Sequence, residues 1–225
     1  MNEQKIEQIH WNEKNLDQIA NNIAEGLSDR AYVIIDQFLK PLEVNIIRSH
    51  MDQLKEEGDF KKAGIGASHK FQVNEEIRKD WIHWVNPEDT IASTQIFTNQ
   101  LKIIMNKLNQ LCFLGLKDFE MHYAIYPKGA YYKRHLDQFQ FSDHRRLTFL
   151  CYLNDAWKNE DGGHLRIYLP RGENHPEYPF DISPIAGRLV MFRSDLLEHE
   201  VLECHRQRYS LTGWMLDQLN ELTFL

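Results

Sequence analysis

Residues 121–137 read MHYAIYPKGAYYKRHLD. Met121–Tyr126 is a short apolar and aromatic run, Pro127–Gly129 is a turn signal, and a second extended run follows it. The same texture recurs downstream as LTFLCYLN (147–154), LRIYLP (165–170), DISPI (181–185), RLVMF (188–192) and YSLTGW (209–214). Short strands at this spacing, with Gly, Pro, Asn and Asp between them, predict a β-sandwich or jelly roll.

Upstream the pattern is helical. Leu16, Ile19, Ala20, Ile23, Ala24 and Leu27 mark an amphipathic helix over residues 13–27 that stops near Gly26. AYVIIDQF (31–38) reads as a strand. Pro41 opens a second helix, with Leu42, Val44, Ile47 and Leu54 on its apolar side and Gly58 at its end. Residues 90–114 carry the longest helical pattern, from Ile91 through Leu111, and should pack across a sheet. KKAGIGASHK (61–70) reads as a mobile loop rather than a phosphate loop, because its lysines and hydroxyl sit at the wrong spacing. IRKDWIHWV (77–85) reads either as an amphipathic strand or as a lip beside a substrate groove. Helices first and strands later predict a mainly β, α+β domain over residues 1–225. Residues 1–60 supply helical support and residues 118–217 the core.

Composition narrows the class. The 225 residues are 42% hydrophobic, enough for one core, with a net charge of -7 that argues against a duplex nucleic-acid partner. Cys112, Cys151 and Cys204 make an odd set without CxxC spacing, as expected of reduced thiols in a cytoplasmic protein. The N-terminal stretch is polar, and no apolar run reaches the roughly 20 residues of a membrane span.

Residues two apart on a strand face one way, so His135 and Asp137 can aim at one ion with Leu136 turned away. HEVLECHRQRYSLTGW (199–214) follows an apolar run and reads as strand, turn, strand. Facing strands of a jelly roll let His199 supply a third ligand. Two imidazoles and one carboxylate with open positions are the pattern of non-haem Fe(II) oxygenases, although zinc with a water ligand uses a similar set. Arg208 separates the two readings. A guanidinium inside a barrel calls for a carboxylate, and a dicarboxylic cosubstrate whose other end chelates the metal supplies one. Thr212 and Trp214 share its face, and Arg206 is its rival. The other histidines, His144, His164, His175 and His205, read as surface or strand-edge residues, and DHRR (143–146) as a solvated turn.

IRKDWIHW, YPKGAYYKRHLD, RLTFLCYLN, DGGHLRIY, GRLVMFRSD and the 199–214 segment, in this order, resemble the 2-oxoglutarate and Fe(II)-dependent dioxygenases. The likeness is to the prolyl 4-hydroxylase-like branch, especially the hypoxia-sensing prolyl hydroxylases and their bacterial relatives. It implies a double-stranded β-helix of the cupin type, with His135, Asp137 and His199 on Fe(II). It implies Arg208 and Tyr126 on the 5-carboxylate of 2-oxoglutarate, and Tyr152, Leu150, Leu165, Val201, Thr212 and Trp214 around that cosubstrate. Arg78 and Asp80 match a charged pair in a substrate-covering loop, and Arg145 an arginine at the substrate mouth. O2 is the second cosubstrate, succinate and CO2 are co-products, and ascorbate is a candidate reductant. The implied partner is a proline-containing protein or peptide, with a cytosolic translation factor such as elongation factor Tu as one target by family analogy. The alternatives are a related oxygenase of small molecules and a non-catalytic or zinc-binding jelly roll. The sequence departs from the animal enzymes in a turn one residue shorter before His135, in His122 where they carry an apolar pocket residue, and in the segments 61–70 and 138–144.

Overall fold

The nine-residue strand at 208–216 alternates side chains between two cores, and this alternation organises the domain. The computed structural model describes residues 8–64, 73–137, 144–170 and 177–219. Among the described residues twelve strands make two sheets. They are β1 (Ile9–His10), β2 (Tyr32–Asp36), β3 (Lys61–Lys62), β4 (Trp81–Val85), β5 (Asp118–Tyr126), β6 (Tyr132–His135), β7 (Arg145–Tyr152), β8 (Leu165–Leu169), β9 (Tyr178–Ile182), β10 (Leu189–Arg193), β11 (His199–Val201) and β12 (Arg208–Leu216). The major sheet runs β1-β2-β10-β7-β12-β5-β4-β3 and the minor sheet β6-β11-β8-β9.

Tyr209, Leu211 and Met215 of β12 face outward with Phe149, Met121, Tyr123 and Met191. Against them pack Ile19 and Ile23 of α1 (Leu16–Asp29), Ile47 and Met51 of α2 (Pro41–Glu57), and Phe97, Leu101 and Leu108 of α3 (Ala92–Cys112). Each of these large side chains, once buried, contributes about 1.5–3 kcal/mol. The opposite face of the major sheet meets the minor sheet through Leu150, Tyr152, Val190, Phe192, Leu165 and Ile167. The helices thus buttress one face of the β-core, and the inner face is left to meet the minor sheet.

Several local expectations change. A 3₁₀ turn over Glu13–Asn15 precedes α1, and the helix continues through Gly26 to Asp29. Gly26 serves close packing there, since a Cβ on it would lie 2.3 Å from Val33 Cγ1. Leu42 is exposed, off the face made by Val44, Ile47, Met51 and Leu54. Of DISPI, only Asp181 and Ile182 belong to β9. The 199–214 segment is not a hairpin: β11 lies in the minor sheet and β12 in the major, so the intervening turn crosses between sheets. Arg145 and Arg146 open β7 instead of forming a solvated turn.

The 77–85 segment also spans both sheets. Trp81–Val85 pairs with β5 in the major sheet. Just before it, the Lys79 amide donates to Tyr131 O at 3.0 Å and the Lys133 amide donates to Ile77 O at 2.8 Å, beside the strand that carries His135. It is therefore a strand whose leading residues reach the edge of the minor sheet. The loop expected at 61–70 begins with β3; its residues 65–72 lie outside the described residues, as do 138–143 of the second lip and His175.

Candidate active site

His135 ends β6 and His199 begins β11, and the two are register partners across the minor sheet. Asp137 lies two residues beyond His135, just past the end of β6. One ligand atom from each of the three comes within 4.8 Å of the others. His135 Nε2 is 3.5 Å from Asp137 Oδ1, and His199 Nε2 is 3.5 Å from Asp137 Oδ2. Both rings are oriented by backbone: Nδ1 of His135 lies 2.8 Å from Lys133 O and Nδ1 of His199 lies 3.2 Å from Leu197 O. A proton on each Nδ1 bonds that carbonyl and leaves an Nε2 lone pair facing the carboxylate, the tautomer a metal ligand needs.

Burial and charge set the protonation states. Burial pushes His199 down to about 4, so its ring is neutral near pH 7. Burial pushes Asp137 upward, but His199, His135 and Arg145 pull it further the other way, and the carboxyl lies well below its usual range. Thr148 Oγ1 donates to Asp137 Oδ2 at 2.8 Å and lies 2.9 Å from Ser194 Oγ, a buried pair that holds the carboxylate. Two imidazoles and one carboxylate suit a divalent cation of the Fe(II) type.

Arg208 starts β12 on the inner face and is fully buried. Its Nη1 donates to Ser210 Oγ at 3.2 Å, while Nε and Nη2 have no partner. Its Cζ lies 4.9 Å from the Tyr126 ring centroid and 5.0 Å from that of Tyr152. The Tyr152 hydroxyl is buried without a partner. Burial pushes Tyr152 up to about 12 and Tyr126 well above its ordinary value, so both phenols remain protonated donors. Gly163, with φ +62°, keeps this pocket open: a Cβ there would lie 2.9 Å from Cys204 Sγ and 3.1 Å from Arg208 Cδ. A buried guanidinium with two unused donors, flanked by two phenols, fits a carboxylate ligand. Arg206, the rival, is turned outward onto Asp161 and Trp157.

The remaining predicted residues fall around this centre. Leu150, Leu165 and Val201 are buried on the inner faces, and Thr212 is half-buried. Trp214 is opposite Thr148 in the register of β12 and β7. Arg145 stacks over the Trp214 ring at 3.6 Å and is bonded to Glu120, at 2.8 Å from Nε. Arg78 and Asp80 form a bidentate pair at 2.8 and 2.6 Å, with Asp80 buried. Residues not singled out from the sequence are Thr148, Ser194 and Ser210, whereas Tyr132, close enough in sequence to His135 to line the site, stacks its ring on His135 at 3.7 Å. Polar Thr148 inside the apolar run LTFLCY was the available signal. His164 is buried rather than at the surface.

Comparison with known proteins places this arrangement. Residues 121–216 match the family model of the 2OG-Fe(II) oxygenase superfamily. A crystal structure of a Pseudomonas putida prolyl-4-hydroxylase is 34% identical, with 89% of this chain and 100% of that one covered and a TM-score of 0.78. The chain belongs to the 2OG-Fe(II) oxygenase superfamily. Within it this oxygenase is of the prolyl-4-hydroxylase type. A Trichoplax adhaerens prolyl hydroxylase, solved with a hypoxia-inducible-factor peptide fragment, is 28% identical with 91% of each chain covered and a TM-score of 0.79. The hypoxia-inducible factor prolyl hydroxylase of Caenorhabditis elegans is 29% identical over 211 residues, and the chain spans 28% of that protein's length. The family's cofactors are Fe(II), 2-oxoglutarate and O2, and the His135–Asp137–His199 cluster and the Arg208 pocket suit the first two.

His122 lies on β5 beside this centre. It faces the inner side of β5 with Ala124 and Tyr126, is buried between Trp84 and Trp214, and its Nδ1 has no partner. Burial, reinforced by Arg78 and Arg145 against Asp80 and Asp137, depresses its pKa to about 3. An unfolded chain protonates histidine near 6.5, so below that pH the unfolded state binds more protons and stability falls as pH falls toward 3. His122→Leu removes that term. Its stability relative to wild type should therefore rise as pH drops from 7.5 to 5, by up to about 1.4 kcal/mol per pH unit. Urea unfolding of both proteins across this range checks it; parallel pH profiles would contradict it.

Proposed function

We propose that this oxygenase hydroxylates a prolyl residue of a cytosolic protein or peptide, with succinate and CO2 as co-products. The observation that carries the reading is the fully buried, partly unpartnered Arg208 inside the same β-core that carries the His135–Asp137–His199 cluster. A metal triad alone suits zinc, but the anchored cation calls for a dicarboxylic cosubstrate.

In this reading His135, Asp137 and His199 hold Fe(II), and Arg208 with Tyr126 binds the far carboxylate of 2-oxoglutarate. Tyr152, Thr212 and Trp214 orient the cosubstrate, and Leu150, Leu165 and Val201 keep water from it. Iron with 2-oxoglutarate and O2 supplies the oxidising power that replaces C–H by C–OH. The protein positions the groups, and no side-chain base is required. Arg78, Asp80 and Arg145 lie toward the substrate. The prolyl substrate is supported by the likeness to prolyl hydroxylases, one of them solved with a peptide. Free Cys112, Cys151 and Cys204 accord with a reducing compartment, and no helix among the described residues is long and apolar enough to cross a membrane.

Incubation with Fe(II), 2-oxoglutarate, ascorbate and candidate proteins, elongation factor Tu first, should add one oxygen to a proline-containing peptide, as read by mass spectrometry. Oxygen gained only by a metabolite would favour the small-molecule reading. Zinc binding without any succinate release would reject the oxygenase reading altogether.

A further inference from the structure

The Arg78–Asp80 segment reaches His135 through one aromatic ring. The Arg78 guanidinium lies 4.2 Å from the centroid of the Tyr132 ring. The same ring stacks on His135, with centroids 3.7 Å apart and planes 17° from parallel. Both ends are fixed. Asp80, buried at 1% exposure, holds Arg78 by its bidentate pair, and the Lys133 carbonyl holds the His135 ring. The backbones are tied as well, by the Lys79–Tyr131 and Lys133–Ile77 hydrogen bonds and an antiparallel bridge between Arg78 and Tyr132. His135 is also the least buried of the three cluster residues, its side chain 14% exposed against 8% for Asp137 and 5% for His199. Its orientation therefore depends most on what covers it.

We infer that Tyr132 is a positioning residue that couples the order of the Arg78–Asp80 lip to the orientation of the metal ligand His135. The inference rests on the metal-site reading above. A planar guanidinium and an imidazole packed against one phenol ring fix that ring, and the ring in turn restricts rotation of the imidazole. Partners that orient a ligating histidine alter metal affinity by about 10–100-fold when removed. Linkage then makes the effect reciprocal: whatever orders the lip tightens metal binding, and metal binding orders the lip. A peptide that engages the lip would thus complete the metal site as it docks.

The test is anaerobic titration of the full chain with Co(II), read by its visible absorption, together with amide hydrogen exchange. Tyr132→Leu removes the stacking ring and should weaken Co(II) binding about tenfold and change the band shape. Tyr132→Phe keeps the ring and should restore both. Arg78→Lys keeps a cation for Asp80 but loses the planar layer, and should give an intermediate loss without any change in β6. In the wild type, Co(II) should slow exchange of the Lys79 and Lys133 amides, and in Tyr132→Leu that slowing should disappear. If Tyr132→Leu fails to fold, Arg78→Lys and the wild-type exchange response decide. Co(II) binding in both variants equal to wild type, or lip amides indifferent to the metal, would overturn the coupling and leave the metal site intact. A wild-type protein that binds no Co(II) would overturn both.

Discussion

His199→Ala, and separately Asp137→Asn, should bring succinate release from 2-oxoglutarate to the detection limit, while His205→Ala should leave it at the wild-type rate. The contrast follows from geometry. His199 presents Nε2 to Asp137 at 3.5 Å from a buried strand, and its ring is neutral, as a ligand must be. Removing it leaves one imidazole and one carboxylate, too few to keep a divalent cation in a three-point site. Asp137→Asn is the sharper change. It preserves the shape and an acceptor for Thr148 Oγ1 but deletes the only charge in the donor set. His205 belongs to the same 199–208 segment, yet its Nδ1 is 2.8 Å from Glu160 O, outside the cluster. Circular dichroism and thermal unfolding show whether each variant is folded. Turnover that survives in a folded His199→Ala protein would remove the basis for the site.

The parts of this site that were legible in the sequence are those governed by period. Arg208, Ser210, Thr212 and Trp214 share the inner face of β12 because strand residues two apart do so. His135 and Asp137 stay together although Asp137 lies past the strand end, since one bend does not separate them. What stayed hidden depends on register between distant strands. Arg145 looked solvated within DHRR, but Trp214 stands opposite Glu120 in β12 and β5, and Arg145 reaches across the Trp214 ring to Glu120. Thr148 finds Asp137 only because β7 lies on the inner wall facing the end of β6. At 199–214 the strand, turn, strand reading holds, but the apolar pattern carries no sign of which sheet each strand joins.

Arg208→Leu should raise the 2-oxoglutarate concentration for half-maximal succinate release by about a hundredfold or more, while the protein without 2-oxoglutarate loses little or no stability. A hundredfold corresponds to about 2.7 kcal/mol, just under the roughly 3–5 kcal/mol that loss of one partner from a buried charge pair commonly costs. The second half of the expectation is the diagnostic one. In the unliganded protein the guanidinium has only Ser210 Oγ as a hydrogen-bond partner and two unused donors, offset in part by the faces of Tyr126 and Tyr152. It is therefore a source of instability that a carboxylate relieves, and an aliphatic side chain of smaller volume removes it at the expense of some packing. Addition of 2-oxoglutarate with Mn(II) should raise the Tm of the wild type and leave that of Arg208→Leu nearly unchanged. Arg208→Lys should fall between them, because an ammonium keeps the charge but not the two-pronged geometry. If the leucine variant were strongly destabilised without ligand and yet used 2-oxoglutarate normally, Arg208 would be a structural element of the barrel, and the anchor for the cosubstrate would have to lie elsewhere.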